Sequence, residues 1–127
     1  MNTKYKIALS VLAGAALGAA AVQGIHAQSQ PKAYIVTESE VLDAAALAAY
    51  GPLVRAASDA AGGRRLSPPG GKIVALVGEP PKRIGITEWE SLEKAQAYRN
   101  SAAYKDLAPQ REKATKTIRR YAVEAIN

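Results

Sequence analysis

The sequence predicts an α+β domain of the ferredoxin-like kind, a βαββαβ chain folded as a four-stranded antiparallel sheet with two helices on one face. Three observations carry this prediction. Runs rich in β-branched and aromatic residues alternate at period two over Lys32–Val41, Arg83–Trp89 and Ile118–Ile126. Two runs with helical spacing stand behind capping residues, Asp43 and Ser91. The elements then follow the order strand, helix, broken strand, strand, helix, strand, which makes two βαβ-like halves.

The first strand begins after Pro31 and places Tyr34, Val36, Glu38 and Glu40 on one face, with Ala33, Ile35, Thr37, Ser39 and Val41 on the other. Asp43 occupies the N-cap position before Leu47, Tyr50, Val54 and Ala57. Gly51-Pro52 falls inside that run. An interior proline removes a hydrogen bond and clashes with the preceding turn, at a cost of ~3 kcal/mol, so a kink or a restart is expected there. Gly62-Gly63 ends the helix. Arg64–Leu66 and Lys72–Val77 are short extended pieces flanking the turn-rich insert Ser67-Pro68-Pro69-Gly70-Gly71. The third strand sets Ile84, Ile86 and Glu88 opposite Arg83, Gly85, Thr87 and Trp89. Ser91 caps a helix bearing Leu92, Ala95 and Tyr98, and a restart at Asn100-Ser101 leads through Tyr104 and Leu107 to Pro109. The last strand sets Tyr121 and Val123 against Ile118, Ala122 and Ile126. With both helices on one side, the other side still bears Tyr, Val and Ile. An Ala-rich core and an uncovered apolar sheet face predict a dimer closed sheet on sheet.

The first 27 of the 127 residues read as a secretory signal peptide: Lys4 and Lys6, the apolar run Ile7–Val22, and Ala27 as the last residue removed. The apolar run is shorter than the ~20 residues a membrane span needs. Stable membrane insertion is therefore not expected after cleavage, and residues 28–127 are expected to be a secreted or periplasmic domain. Cleavage removes Lys4 and Lys6 from the 17 basic residues and none of the 11 acidic ones, lowering the net charge from +6 to +4. It also removes His26, the only histidine. A mature chain without His or Cys lacks an imidazole base, a Cys–His pair, a His-ligated haem and the usual zinc ligands, so no metal or other cofactor is expected. The pairs Gly62-Gly63 and Gly70-Gly71 lack the spacing of a nucleotide-phosphate loop. The basic run Lys113, Lys116, Arg119 and Arg120 reads as a solvated surface, and nucleic acid is not an expected partner.

Two constellations are candidates for chemistry. Asn100, Ser101, Tyr104 and Arg111 lie along the second helical run, where a forked cation and hydroxyl donors suit an anion or carbonyl pocket. The plainer account makes Ser101 a cap, Tyr104 a core ring and Arg111 a partner for a carboxylate or carbonyls. Tyr34, Glu38 and Glu88 form the second constellation, on strands that the topology makes neighbours. A carboxylate facing an enclosed interior acts as a base when its pKa is raised; the alternative pairs Glu38 and Glu88 with Arg83, Arg119 or Arg120.

The segments K-A-Y-I-V-T-E at Lys32–Glu38, A-G-G-R at Ala61–Arg64, G-G-K-I-V at Gly70–Val74 and P-P-K-R-I at Pro80–Ile84 are followed by two longer ones. These are E-W-E-S-L-E-K-A at Glu88–Ala95 and N-S-A-A-Y-K-D-L-A-P-Q-R at Asn100–Arg111. Together they resemble the domain of unknown function 1330 family of the dimeric α+β barrel superfamily. The resemblance implies the ferredoxin-like architecture and a homodimer, and little chemistry. The function expected is an exported dimer that binds a small organic molecule, an anion among the candidates, between sheet and helices without metal or haem. Tyr34, Asn100, Ser101, Tyr104 and Arg111 are its candidate ligand-binding residues. Two alternatives stay open. Superfamily relatives imply a cofactor-free oxygenase or isomerase on a small activated ring substrate, with Glu38 or Glu88 as base and Arg111 with Tyr104 holding the oxyanion. The other alternative is a purely structural dimer.

Overall fold

Asp43 and Ser91 cap helices as their positions predict: the Asp43 carboxylate accepts from the Ala46 N–H at 2.9 Å, and Ser91 Oγ accepts from the Lys94 N–H at 3.1 Å. In the computed structural model, which describes residues 30–68 and 70–126, the elements are β1 (Ala33–Val41), α1 (Ala44–Ala60), β2 (Arg64–Arg65) and β3 (Arg83–Trp89). They continue with α2 (Leu92–Asn100), α3 (Ala102–Lys105), α4 (Ala108–Ala114) and β4 (Thr115–Glu124). The signal peptide expected over residues 1–27, with its cleavage point at Ala27, lies outside the described residues. No described helix is long and apolar enough to cross a membrane.

The sheet has the order β2-β3-β1-β4 with every neighbouring pair antiparallel, which is the ferredoxin-like arrangement. Its helix-facing side carries Ala33, Ile35, Thr37 and Ser39 of β1 beside Gly85, Thr87 and Trp89 of β3. Trp89, Ala95, Tyr98 and Tyr104 form the buried cluster, and Ile35 and Ala57 pack against it. Trp89 stacks on Tyr98 with ring centroids 4.9 Å apart, and Tyr98 meets Tyr104 edge to face at 5.4 Å. The core is thus built on aromatic rings, with alanines closing the spaces between them.

Four local expectations are corrected. Helix α1 does not restart at Gly51-Pro52; it runs unbroken with Pro52 inside. Tyr50 is buried and Val54 half-buried, so packing holds the helix on both sides of the lost hydrogen bond. Its end is a Schellman motif: the Gly63 N–H reaches the Ser58 carbonyl at 2.9 Å and the Gly62 N–H that of Asp59 at 3.1 Å, with Gly62 at φ 97°. Lys72–Val77 is not a strand. After Leu66 donates to the Ile86 carbonyl, the Pro-Gly insert carries the chain off the sheet edge, leaving Val74, Leu76 and Val77 exposed without a ladder partner. The second helical run restarts at Ser101 as expected, but it does not end at Pro109, which sits in the first turn of a further helix, α4. Strand β4 starts at Thr115 rather than Ile118, since Thr115 already pairs with Val41, and a bulge opposite Glu38/Ser39 takes up Ile118.

Candidate functional site

Helix α1 lies over the sheet with Leu47, Tyr50 and Val54 facing it, and a cleft of about 140 Å³ remains between them. Its floor is Thr37 and Ser39 of β1 with Gly85 and Thr87 of β3. Four arginines line it, Arg65, Arg83, Arg111 and Arg120, and no Asp or Glu does. An adjoining hollow of about 90 Å³ shares Thr37, Tyr50 and Arg120 and extends the space toward Trp89, Tyr98, Tyr104 and Arg99. Arginines line both parts, and the rings of Trp89, Tyr98 and Tyr104 line the second.

Tyr104 organises the inner end. Its hydroxyl oxygen accepts from Arg120 at 2.6 Å and also from Arg99. The Arg111 guanidinium lies 3.9 Å from the Tyr104 ring centre and donates to the Tyr104 backbone carbonyl at 3.3 and 3.4 Å. Arg120 also donates to Thr37 Oγ1 at 2.9 Å. These contacts fix the direction of each guanidinium and neutralise none of them. Among the described residues, the ion pairs use Lys32, Arg55, Arg64, Lys82 and Arg119, not the cleft arginines. Burial, with Arg99 and Arg111 nearby, pushes the Arg120 pKa down, and burial with Arg65 does the same to Arg83. Burial raises the Tyr50 hydroxyl pKa against the pull of Arg111, so this phenol is a neutral donor at physiological pH.

The structure brings together only part of the predicted site. Arg111 is buried against the buried Tyr104, at the cleft. Ser101 is a cap: its Oγ donates to the Tyr98 carbonyl at 2.6 Å and accepts from the Tyr104 N–H at 3.4 Å. Asn100 is exposed at the end of α2 and lines a separate shallow hollow with Gln96 and Ala122. Tyr34, Glu38 and Glu88 lie on the opposite side of the sheet from the cleft. Glu38 accepts a forked pair from Arg119 at 2.6 and 2.9 Å. Glu88 accepts from Lys32 at 3.1 Å and from Arg64 at 3.1 and 3.2 Å. Hydrogen bonding to these cations holds both carboxyl groups below the usual carboxylate range, the reverse of what a base at neutral pH needs.

Arg65, Arg83, Arg99 and Arg120 escape the sequence reading. For Arg83 and Arg120 the signal was present: Arg83 shares a face with Gly85 and Trp89, and Arg120 shares one with Ala122. Of the basic run read as a solvated surface, Arg120 instead turns into the cleft and Arg119 pairs with Glu38. The depressed Glu38 pKa gives a testable sign. Its stabilising contribution is fully present above the unfolded carboxylate pKa of ~4.3 and is lost as pH falls through the lower folded value. Glu38→Gln should therefore be less stable than the parent near neutrality and show a shallower loss of melting temperature below pH ~4. Parallel melting curves of equal slope in acid would contradict the pairing.

A family model described as domain of unknown function (DUF1330) matches residues 32–126. No curated protein matches the chain. A crystal structure of a protein of unknown function from Rhodopseudomonas palustris superposes with a TM-score of 0.62 at 17% identity, covering 77% of this chain and 85% of that one. The methylated form of that protein gives a TM-score of 0.59 at 18% identity, covering 77% and 83%. At these identities the likeness is one of fold.

Proposed function

This chain belongs to the domain of unknown function 1330 family, and we propose that it is an exported, dimeric binding protein that holds a small organic anion between α1 and the sheet. The observation that carries this reading is the cleft lined by four arginines and no carboxylate. Guanidinium forks match carboxylate geometry, and in a partly desolvated cleft charge-assisted hydrogen bonds contribute about twice what neutral ones do. Thr37, Ser39, Thr87 and Tyr50 add hydroxyls along the same walls. Binding needs no base there, consistent with Glu38 and Glu88 being held in ion pairs on the far face.

Support for export is the basic, apolar and small-residue order of residues 1–27. Support for the dimer is the uncovered side of the sheet, where Tyr121 and Val123 stay half exposed. Native mass spectrometry of protein purified from its own host reads all three parts at once. The expected species is a dimer of chains beginning at Gln28 that carries a retained small molecule. Arg111→Met should lose that molecule while keeping the fold by circular dichroism. A ligand-free protein that also takes up no added organic anion at millimolar concentration would overturn the binding role.

A further inference from the structure

Resting on the reading of the cleft as an organic-anion site, we propose that its ligand is a short dicarboxylate held at its two ends by separate arginine pairs. In the strand register Arg83 of β3 stands opposite Ser39, and Arg120 of β4 stands opposite Thr37, so β1 lies between the two arginines. With β1 intervening and a two-residue offset along it, their backbones are roughly 12 Å apart. Both side chains nevertheless line one cavity of about 140 Å³. Arg65 on β2, opposite Thr87, comes from the same side of β1 as Arg83, and Arg111 on α4 meets Arg120 at Tyr104 on the other side.

The two flanks differ in what already engages them. Arg111 and Arg120 are oriented by the ring, carbonyl and hydroxyl of Tyr104 and by Thr37. Arg65 and Arg83 have no side-chain hydrogen bond or ion pair among the described residues, and each bears the other's like charge. One carboxylate presents two oxygens and satisfies one guanidinium pair. It leaves the second pair uncompensated in a partly buried wall, which a second carboxylate relieves. The cleft also offers Leu47 and Val54 of α1, a lining for methylene groups. The volume is close to the ~150 Å³ that admits a benzene ring, which suits a chain of glutarate size.

The test is calorimetric titration of the full protein with glutarate, butyrate and inorganic phosphate: a split dianion, a monoanion of similar bulk, and a compact dianion. Glutarate is expected to bind at least about tenfold more tightly than either of the others. Arg83→Met should weaken glutarate by about tenfold or more and butyrate by less than about threefold, because butyrate needs only the Arg111–Arg120 end. Arg64→Met removes the same charge from a neighbouring residue that pairs with Glu88 outside the cleft. It should leave the order of the three ligands intact. Butyrate or phosphate binding as tightly as glutarate, or Arg83→Met weakening all three alike, would overturn the dicarboxylate while leaving the organic-anion reading in place. No binding of any of the three overturns the dicarboxylate, and it overturns the anion site as well if host-purified protein also carries no small molecule.

Discussion

Trp89→Ala is expected to lower the unfolding free energy by about 3–5 kcal/mol, the usual cost of deleting a buried aromatic side chain. Trp89 is 2% exposed, the largest fully buried side chain among the described residues, and stacks on Tyr98 in the aromatic cluster. A domain of this size has only about 5–15 kcal/mol in total, so the melting temperature should fall by at least ~10 °C. Among the described residues the indole Nε1 has no hydrogen-bond partner. Trp89→Phe therefore gives up no hydrogen bond and keeps a ring against Tyr98, and it should cost well under half as much as the alanine variant. Equal losses in Phe and Ala would mean that the ring stack contributes little.

The same side chain explains Gly63. A Cβ added there would come within 2.7 Å of Trp89 Cζ2, 2.9 Å of Trp89 Cη2 and 2.5 Å of Ser58 Oγ. Helix α1 thus turns back so tightly that its closing glycine packs on the indole. Gly63→Ala should destabilise the parent by about 1–3 kcal/mol, and less in a Trp89→Ala background, where part of the clash is gone. Scanning calorimetry of the four proteins measures that coupling.

The same distinction between local and distant causes explains how much of the molecule was legible in its residues. Strands β1 and β3 and the caps at Asp43 and Ser91 depend on alternation and on one short hydrogen bond, so their order in the sequence is sufficient. Lys72–Val77 has strand chemistry but no neighbour to pair with, and pairing is a property of the whole sheet. Pro52 carries the local penalty of a helix breaker, yet α1 continues because it packs on α4 and, through Ala57, on the buried cluster. At the site, Tyr104 and Arg111 stood out because they share one helical run. Arg65, Arg83 and Arg120 come from three strands, and only the register that brings them to one side of the sheet shows a common cleft. The ion-pair alternative for the two strand carboxylates holds for Glu38, whose partner is Arg119. Glu88 pairs instead with Lys32 and Arg64, because Arg83 and Arg120 point to the other face.

Tyr121→Asp is expected to convert the proposed dimer into a monomer at micromolar concentration. On the side of the sheet away from the helices, the register forms the row Ile86–Val36–Tyr121 beside the row Glu88–Tyr34–Val123. Tyr121 and Val123 are each 50% exposed on the edge strand β4, on a face with no element over it among the described residues. The flanking charges are already paired, Glu38 with Arg119 and Glu88 with Lys32 and Arg64, so they form a polar rim that a second sheet can meet without burying an unmatched ion. A two-fold dimer uses the same patch twice, and one substitution therefore places two carboxylates in the interface. Each unpaired buried charge costs about 3–5 kcal/mol, enough to weaken association by a factor of ~10² or more. Leu53→Asp provides the control, since Leu53 is 47% exposed on α1, the other side of the sheet. Sedimentation velocity should show a dimer for the parent and for Leu53→Asp, and a folded monomer for Tyr121→Asp. A parent that sediments as a monomer would remove the dimer, and a Tyr121→Asp protein that stays dimeric would move the interface away from this face.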